Sequence, residues 1–155
     1  FKKIINKFGN DLSGKTFALW GLSFKPNTDD MREASSRVLM EKLWQAGASV
    51  QAYDPVAMEE CEMIYGSRDD LALCADSMKT CQAADALIIV TEWTEFRSPN
   101  LSEIKAALKQ PVIFDGRNLY DPHELKNNGF EYFAVGRGDS LSINNTGKIN
   151  NAVNT

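Results

Sequence analysis

The strongest constraint on this chain is a regular alternation of short apolar runs with amphipathic stretches between residues 16 and 135. Ala86-Leu87-Ile88-Ile89-Val90 is the clearest run, and Thr16 to Leu22, Ser49 to Tyr53, Val112 to Phe114 and Phe130 to Val135 read the same way, with Leu71 to Leu73 as a shorter one. Strands that are apolar at successive positions are covered on both faces, which is the habit of parallel sheets. Between them lie helix patterns with their own punctuation. Leu39, Leu43 and Ala46 share one face before Gly47, after Asp30 and Glu33 spaced like a capping box. Asp54-Pro55 supplies a cap and a first-turn proline for a helix ending near Gly66, and Asp121-Pro122-His123-Glu124 repeats the device. Further helices are expected from Ser77 to Ala84, and after Ser98-Pro99-Asn100 with Leu101, Ile104 and Leu108 inward. Strand alternating with helix predicts an α/β fold over residues 14–136. It is a doubly wound, mainly parallel, Rossmann-like sheet with helices on both faces and right-handed crossovers.

The ends read differently. Phe1 to Gly9 carries apolar residues at helical spacing and stops at a glycine, yet has no cap before it. Residues 1–13 are therefore expected to be the end of an inter-domain helix belonging to a longer chain. Residues 137–155 are rich in Gly, Ser, Asn and Thr and are expected to form a polar, mobile tail. With 155 residues the chain has room for one ordinary domain, not for separate cofactor and substrate domains.

Charge and cysteine content narrow the chemistry. Seventeen basic against twenty-one acidic side chains, net −4, argue against a nucleic-acid surface but leave room for a local anion site. The three cysteines, Cys61, Cys74 and Cys81, show neither a C-x-x-C spacing nor an even count, so reduced, mostly buried thiols are expected and no metal site. No apolar stretch approaches the ~18 residues of a membrane span, and no signal peptide is visible, so a cytoplasmic protein is expected.

In open α/β sheets ligands bind beyond the carboxyl ends of the strands where the strand order reverses. The segments at those ends are Phe24-Lys25, Glu92-Trp93 and Asp115-Gly116-Arg117. Lys25 and Arg117 are expected to converge on one crevice, with Phe24 and Trp93 beside them: two cations for phosphates and flat apolar surface for a ring. Lys25 taken alone also reads as a solvated charge, and Arg117 as a side chain held by Asp115. Arg32, read as one turn into a helix, sits against the helix dipole and needs either Asp29 or a bound anion as partner. Asp54 reads as a helix cap rather than a ribose-binding acid, and His123 as a surface residue. Gly21 stands without the second and third glycines of G-x-G-x-x-G, so the chain lacks the usual dinucleotide fingerprint. No catalytic triad or activated nucleophile is legible.

The stretch Gly21-Leu22-Ser23-Phe24-Lys25-Pro26-Asn27-Thr28-Asp29-Asp30-Met31-Arg32-Glu33 resembles the C-terminal, UDP-binding domain of the UDP-glucose/GDP-mannose dehydrogenase family. Tyr53-Asp54-Pro55, Thr91-Glu92-Trp93-Thr94-Glu95-Phe96-Arg97 and Phe114-Asp115-Gly116-Arg117-Asn118 extend the resemblance over residues 1–136, and the Glu92-Trp93 form looks most like the UDP-glucose 6-dehydrogenase branch. The resemblance implies a share in oxidising UDP-glucose to UDP-glucuronate with two NAD⁺. NAD would be held mainly by an N-terminal domain, and a catalytic cysteine lies outside this chain, so the fragment alone is expected to be inactive. It further implies that Phe24, Lys25 and Arg117 contact the UDP-sugar and that Arg32 reaches the NAD pyrophosphate. The implied partners are UDP or UDP-glucose, N-terminal and central domains, and other copies of the intact enzyme. A GDP-mannose or UDP-N-acetylhexosamine dehydrogenase domain and a free-standing nucleotide-binding module are the alternatives.

Overall fold

A computed structural model describes residues 1–134; the polar tail expected at 137–155 lies outside the described residues. Six strands form one parallel sheet: β1 (Thr16–Trp20), β2 (Ser49–Tyr53), β3 (Leu71–Leu73), β4 (Ala86–Ile89), β5 (Val112–Asp115) and β6 (Glu131–Ala134). Their order is β3-β2-β1-β4-β5-β6 and every neighbouring pair is parallel, so the order reverses between β1 and β4. The register pairs Trp20 with Tyr53 on one side and with Ile89 on the other. The ends of β2 and β4 therefore flank the end of β1.

The continuous apolar runs are explained by two cores. Phe17 and Leu19 of β1, Val50 and Ala52 of β2, and Ile88 and Phe114 face one side, where α1 (Lys2–Phe8), α2 (Ser35–Gln45) and α3 (Met58–Tyr65) supply Ile4, Leu43 and Cys61. Ala18, Trp20, Leu87, Ile89 and Ile113 face the other side, under α4 (Ser77–Thr80), α5 (Leu101–Ala107) and α6 (Pro122–Asn127) with Ile104 and Leu125. Each large apolar side chain so enclosed contributes about 1.5–3 kcal/mol. Alternation of side chains along a strand sends neighbours to opposite cores. The central strands β1, β4 and β5 are buried on both faces, while β3 and β6 at the edges are partly exposed.

Helix α1 is part of this packing. Ile4 is buried, the Phe8 ring meets Phe17 edge-on at 5.5 Å, and Lys3 Nζ donates to the Ala134 carbonyl at 2.8 Å. Lys7 pairs with Glu131 at 2.7 Å, so the helix is fastened to β6 at two points.

Local punctuation is partly as expected. Asp121 caps α6 through His123 N–H with Pro122 in the first turn, and Asn100 caps α5 through Glu103 N–H. Three readings need correction. Helix α2 begins at Ser35, not at Asp30, because Glu33 takes a left-handed conformation (φ 56°) that no helix accommodates. Helix α3 begins at Met58, so Asp54-Pro55 opens a turn that precedes it. Helix α4 closes at Thr80, earlier than Ala84. Cys61 and Cys81 are buried and Cys74 half-buried, all unpaired, and burial pushes the thiols of Cys61 and Cys81 up to about 11.

Candidate functional site

Three loops rise from the carboxyl edge of adjacent strands β1, β4 and β5, and each carries residues singled out from the sequence. The loop after β1 runs from Gly21 to Ala34. Its first residues are held at almost every polar backbone atom. Gly21 N–H bonds to the Tyr53 carbonyl (2.9 Å) and Phe24 N–H to the Asp30 carbonyl (3.0 Å). The Leu22 carbonyl accepts from Ser36 Oγ (2.6 Å), and the Ser23 carbonyl from Thr91 Oγ1 (2.7 Å). The single Ser23 Oγ–H is shared between the Lys25 carbonyl (2.8 Å) and the Asp54 carboxylate (3.3 Å). Leu22 and Ser23 are buried, and the chain then turns Phe24 and Lys25 outward. Phe24 is 43% exposed although aromatic, with Lys25 Nζ 5.3 Å from the centre of its ring. A rigid backbone that presents an exposed aromatic and an exposed cation is the arrangement of a preorganised ligand contact. No carboxylate lies within ion-pair distance of Lys25 among the described residues.

The donors behind this rigidity converge on one group that sequence reasoning assigned elsewhere. Asp54, at the end of β2, is fully buried. Its Oδ2 accepts from Leu22 N–H (2.7 Å), Ser23 N–H (3.1 Å), Ser23 Oγ (3.3 Å) and Trp93 Nε1 (3.2 Å). Its Oδ1 accepts from Val56 and Ala57 N–H, both at 2.9 Å, so the capping role is kept by one oxygen only. A buried carboxylate with six donors has no room for a ribose. The Trp93 indole is drawn inward by the same bond and is 8% exposed, so it forms a wall and not an open stacking platform.

The loop after β5 hangs on a second buried carboxylate. Asp115 Oδ1 accepts from Arg117 N–H (2.9 Å), and Oδ2 from Leu119 N–H (2.7 Å), Tyr120 N–H (3.2 Å) and Tyr132 Oη (2.6 Å). Asp115 thus holds the backbone of Arg117. The exposed guanidinium turns instead to Glu92, Nη2 to Oε2 2.8 Å, and this bond lowers the Glu92 carboxyl from its ordinary value. Gly116 N–H bonds to the Ile89 carbonyl at 2.7 Å, where a Cβ would come 2.9 Å from that oxygen.

Arg32 lies in the turn before α2, not inside a helix, so no helix dipole opposes it. Its partner is Asp30 rather than Asp29. Nε and Nη2 grip both carboxylate oxygens at 2.8–3.2 Å, and the grip holds the Asp30 carboxyl down to about 2. The Arg32 side chain remains 87% exposed. At the switch point itself the floor is closed: a Cβ on Gly21 (φ 100°) would stand 2.5 Å from Thr91 Cβ, and Thr91 is fully buried. Lys25 and Arg32 thus stand in the loop after β1 and Arg117 in the loop after β5. The first stands beside a ring and the other two hold carboxylates. An apolar cavity of about 280 Å³, lined by Phe1, Ile4, Leu39, Val90 and Phe114, opens beneath α1 at the ends of β4 and β5. His123 is exposed, and no cluster suited to a metal ion occurs among the described residues.

Residues 18–122 match the family model for the UDP binding domain of the UDP-glucose/GDP-mannose dehydrogenase family. The chain is 40% identical over 139 residues to a UDP-glucose 6-dehydrogenase of Rhizobium meliloti, covering 89% of this chain and 31% of that one. It is 41% identical over 140 residues to a UDP-glucose 6-dehydrogenase of Pseudomonas aeruginosa, covering 88% of this chain and 31% of that one. Among solved structures, a UDP-glucose dehydrogenase of Pyrobaculum islandicum superposes with a TM-score of 0.69 at 26% identity, over 85% of this chain and 27% of that one. A UDP-D-ManNAc dehydrogenase of Pyrococcus horikoshii superposes with a TM-score of 0.67 at 28% identity, over 89% of this chain and 29% of that one. The chain thus spans about a third of the length of the relatives it matches.

Proposed function

Since the chain belongs to the UDP-glucose/GDP-mannose dehydrogenase family, as its UDP binding domain, we propose that its rim of cations holds the UDP moiety of UDP-glucose for NAD-dependent oxidation to UDP-glucuronate. The observation that carries this reading is the contrast within the loop after β1: a backbone bonded at nearly every polar atom, ending in an outward Phe24 and Lys25. Lys25 and Arg117 supply charge for the phosphates and sugar, and Phe24 supplies apolar surface beside them. Arg117 is presented with its backbone fixed by Asp115 and its guanidinium steadied by Glu92.

NAD is proposed as the oxidant, bound mainly by a domain outside this chain. The residues here do not cradle a dinucleotide: Gly21 abuts Thr91, and Ser36 Oγ closes the start of α2 onto the Leu22 carbonyl. Arg32, 87% exposed, is proposed to reach an anion from a facing domain by exchanging Asp30 for a pyrophosphate oxygen. The proposed partners are accordingly N-terminal and central domains and further copies of the intact enzyme. The chain is proposed to contribute nucleotide-sugar binding and not the nucleophile, since burial raises the thiols of Cys61, Cys74 and Cys81 and makes them poor ones. No helix among the described residues is long and apolar enough to cross a membrane; a cytoplasmic setting is proposed.

A nuclear magnetic resonance titration of the chain with UDP, GDP and inorganic phosphate tests the reading. UDP is expected to shift the amides of Phe24, Lys25 and Arg117 at lower concentration than GDP, and Lys25→Ala or Arg117→Ala to weaken it by about 1.5–3 kcal/mol. Resonances unmoved by millimolar UDP would overturn it. The superposition on a UDP-D-ManNAc dehydrogenase supports a second substrate, a UDP-N-acetylhexosamine. Competition of that sugar nucleotide against UDP-glucose separates the two.

A further inference from the structure

We propose that Asp54 is a positioning residue for this site, joining the loop that carries Phe24 and Lys25 to the loop whose Glu92 holds Arg117. The proposal rests on the UDP reading above and goes beyond it, because Asp54 is fully buried and touches no ligand.

The parallel register starts the argument. Trp20 pairs with Tyr53, so the residue after Tyr53 stands beside Gly21 and Leu22 as they leave the sheet. A helix cap at this place needs only the Oδ1 bonds to Val56 and Ala57. The other oxygen does something a cap does not require. It takes two backbone N–H groups and a hydroxyl from the Leu22-Ser23 step, and an indole N–H from Trp93. One atom thereby spans the switch point, from the loop after β1 to the loop after β4. From Ser23 the connection continues through Oγ to the Lys25 carbonyl; from Trp93 it continues one residue back to Glu92, and from there to Arg117 at 2.8 Å. Lys25 and Arg117 stand on different loops, and this chain of bonds links them beside the sheet register and the Thr91 Oγ1 bond to the Ser23 carbonyl. Desolvating a carboxylate is costly, and here the Oδ2 share of the compensation comes from N–H and O–H donors of the two loops that carry the proposed ligand contacts. The sequence pattern alone favours a cap because only two of the six donors lie two or three residues away, while the other four lie more than thirty residues away and are not legible.

Two variants test the role. Asp54→Asn keeps the size of the side chain but sets an amide NH₂ against one group of N–H donors. Trp93→Phe keeps a large buried ring and removes only the indole bond to Asp54, leaving Thr91 Oγ1 on the Ser23 carbonyl. The expected result is that UDP affinity of the folded protein falls roughly tenfold in Asp54→Asn and roughly threefold in Trp93→Phe. Amide hydrogen exchange at Ser23 and Phe24 is expected to accelerate while that of β4 and β5 is retained. Lys25→Ala combined with Trp93→Phe is expected to lose less than the product of the two single losses, since the second change releases a loop whose cation is already gone. A purely structural Asp54 would lower the denaturation midpoint and leave the UDP affinity of the native fraction untouched. Unchanged UDP affinity in Trp93→Phe overturns the proposal even if Asp54→Asn does not fold. A parent chain that fails to bind UDP overturns instead the functional reading on which the proposal rests.

Discussion

The loops after β1 and after β5 present their cations by the same device and differ in where the device comes from. Each hangs on one buried aspartate that takes several backbone N–H groups. Asp115 serves its own loop, accepting N–H groups two, four and five residues ahead. Asp54 serves a loop 31 and 32 residues earlier and an indole 39 residues later. The first is a local turn that is complete once β5 is in place. The second exists only when β1, β2 and β4 have already paired, so it joins the cooperativity of the whole sheet. Tyr132 Oη is the one donor to Asp115, among the described residues, that comes from outside this loop.

Removing the two carboxylates gives the largest expected effect and the sharpest test of the difference. Asp54→Ala is expected to cost about 3–5 kcal/mol in urea denaturation, because its buried donors on three segments lose their acceptor together. Asp115→Ala is expected to cost less, about 2–3 kcal/mol, since water can reach several of its part-buried donors. Equal costs would break the comparison. Gly21→Ala comes next, at about 2–4 kcal/mol. The added Cβ meets Thr91 at 2.5 Å in a left-handed conformation, and Gly116→Ala, with an allowed conformation but an oxygen at 2.9 Å, is expected to be milder. A reversal of that order would place the more constrained crossing at β5.

Smaller effects separate the two cation pairs. Glu92→Gln is expected to change stability by less than about 1 kcal/mol, because the pair with Arg117 is partly exposed. The Glu92 carboxyl titrates below its ordinary value in the folded chain, so its contribution is present above the ordinary carboxylate range and fades as the pH falls. A carbon-detected titration is expected to show Asp30 protonating near pH 2, as the folded value is about 2 against 3.8 unperturbed. Whatever this pair adds is complete above 3.8 and is lost as the pH drops through 2, and Arg32→Ala is expected to return Asp30 toward 3.8. An Asp30 midpoint unmoved by that substitution would separate the carboxyl from Arg32.

What was legible in the sequence follows the same division between near and far. Buried parallel strands announce themselves by unbroken apolar runs, and Asp121-Pro122 and Asn100 place their helices because a cap acts within three residues. The placement of Phe24, Lys25 and Arg117 at strand ends could be derived from strand order alone, since β1, β4 and β5 are neighbours. Arg32 was misplaced because Asp30 and Glu33 have capping-box spacing, while Glu33 in fact turns left-handed and ends the loop. The sequence suggests an open face for Trp93 because nothing within ten residues of it reveals that Asp54 claims its N–H. Asp54 offers one signal in hindsight: an acid that closes a buried strand in a parallel sheet stands beside the departing backbone of its neighbour.

The closed floor between Gly21 and Thr91 has a kinetic consequence. A ligand cannot sink between β1 and β4 and must lie on the rim, where one wall covers only part of a nucleotide. Contacts of that kind are fast to make, because no enclosure has to open, and fast to lose, because residence time tracks the surface enclosed more than the speed of encounter. On the function proposed above, a nucleotide held by this rim alone is expected to exchange quickly, and longer occupancy to require a second wall.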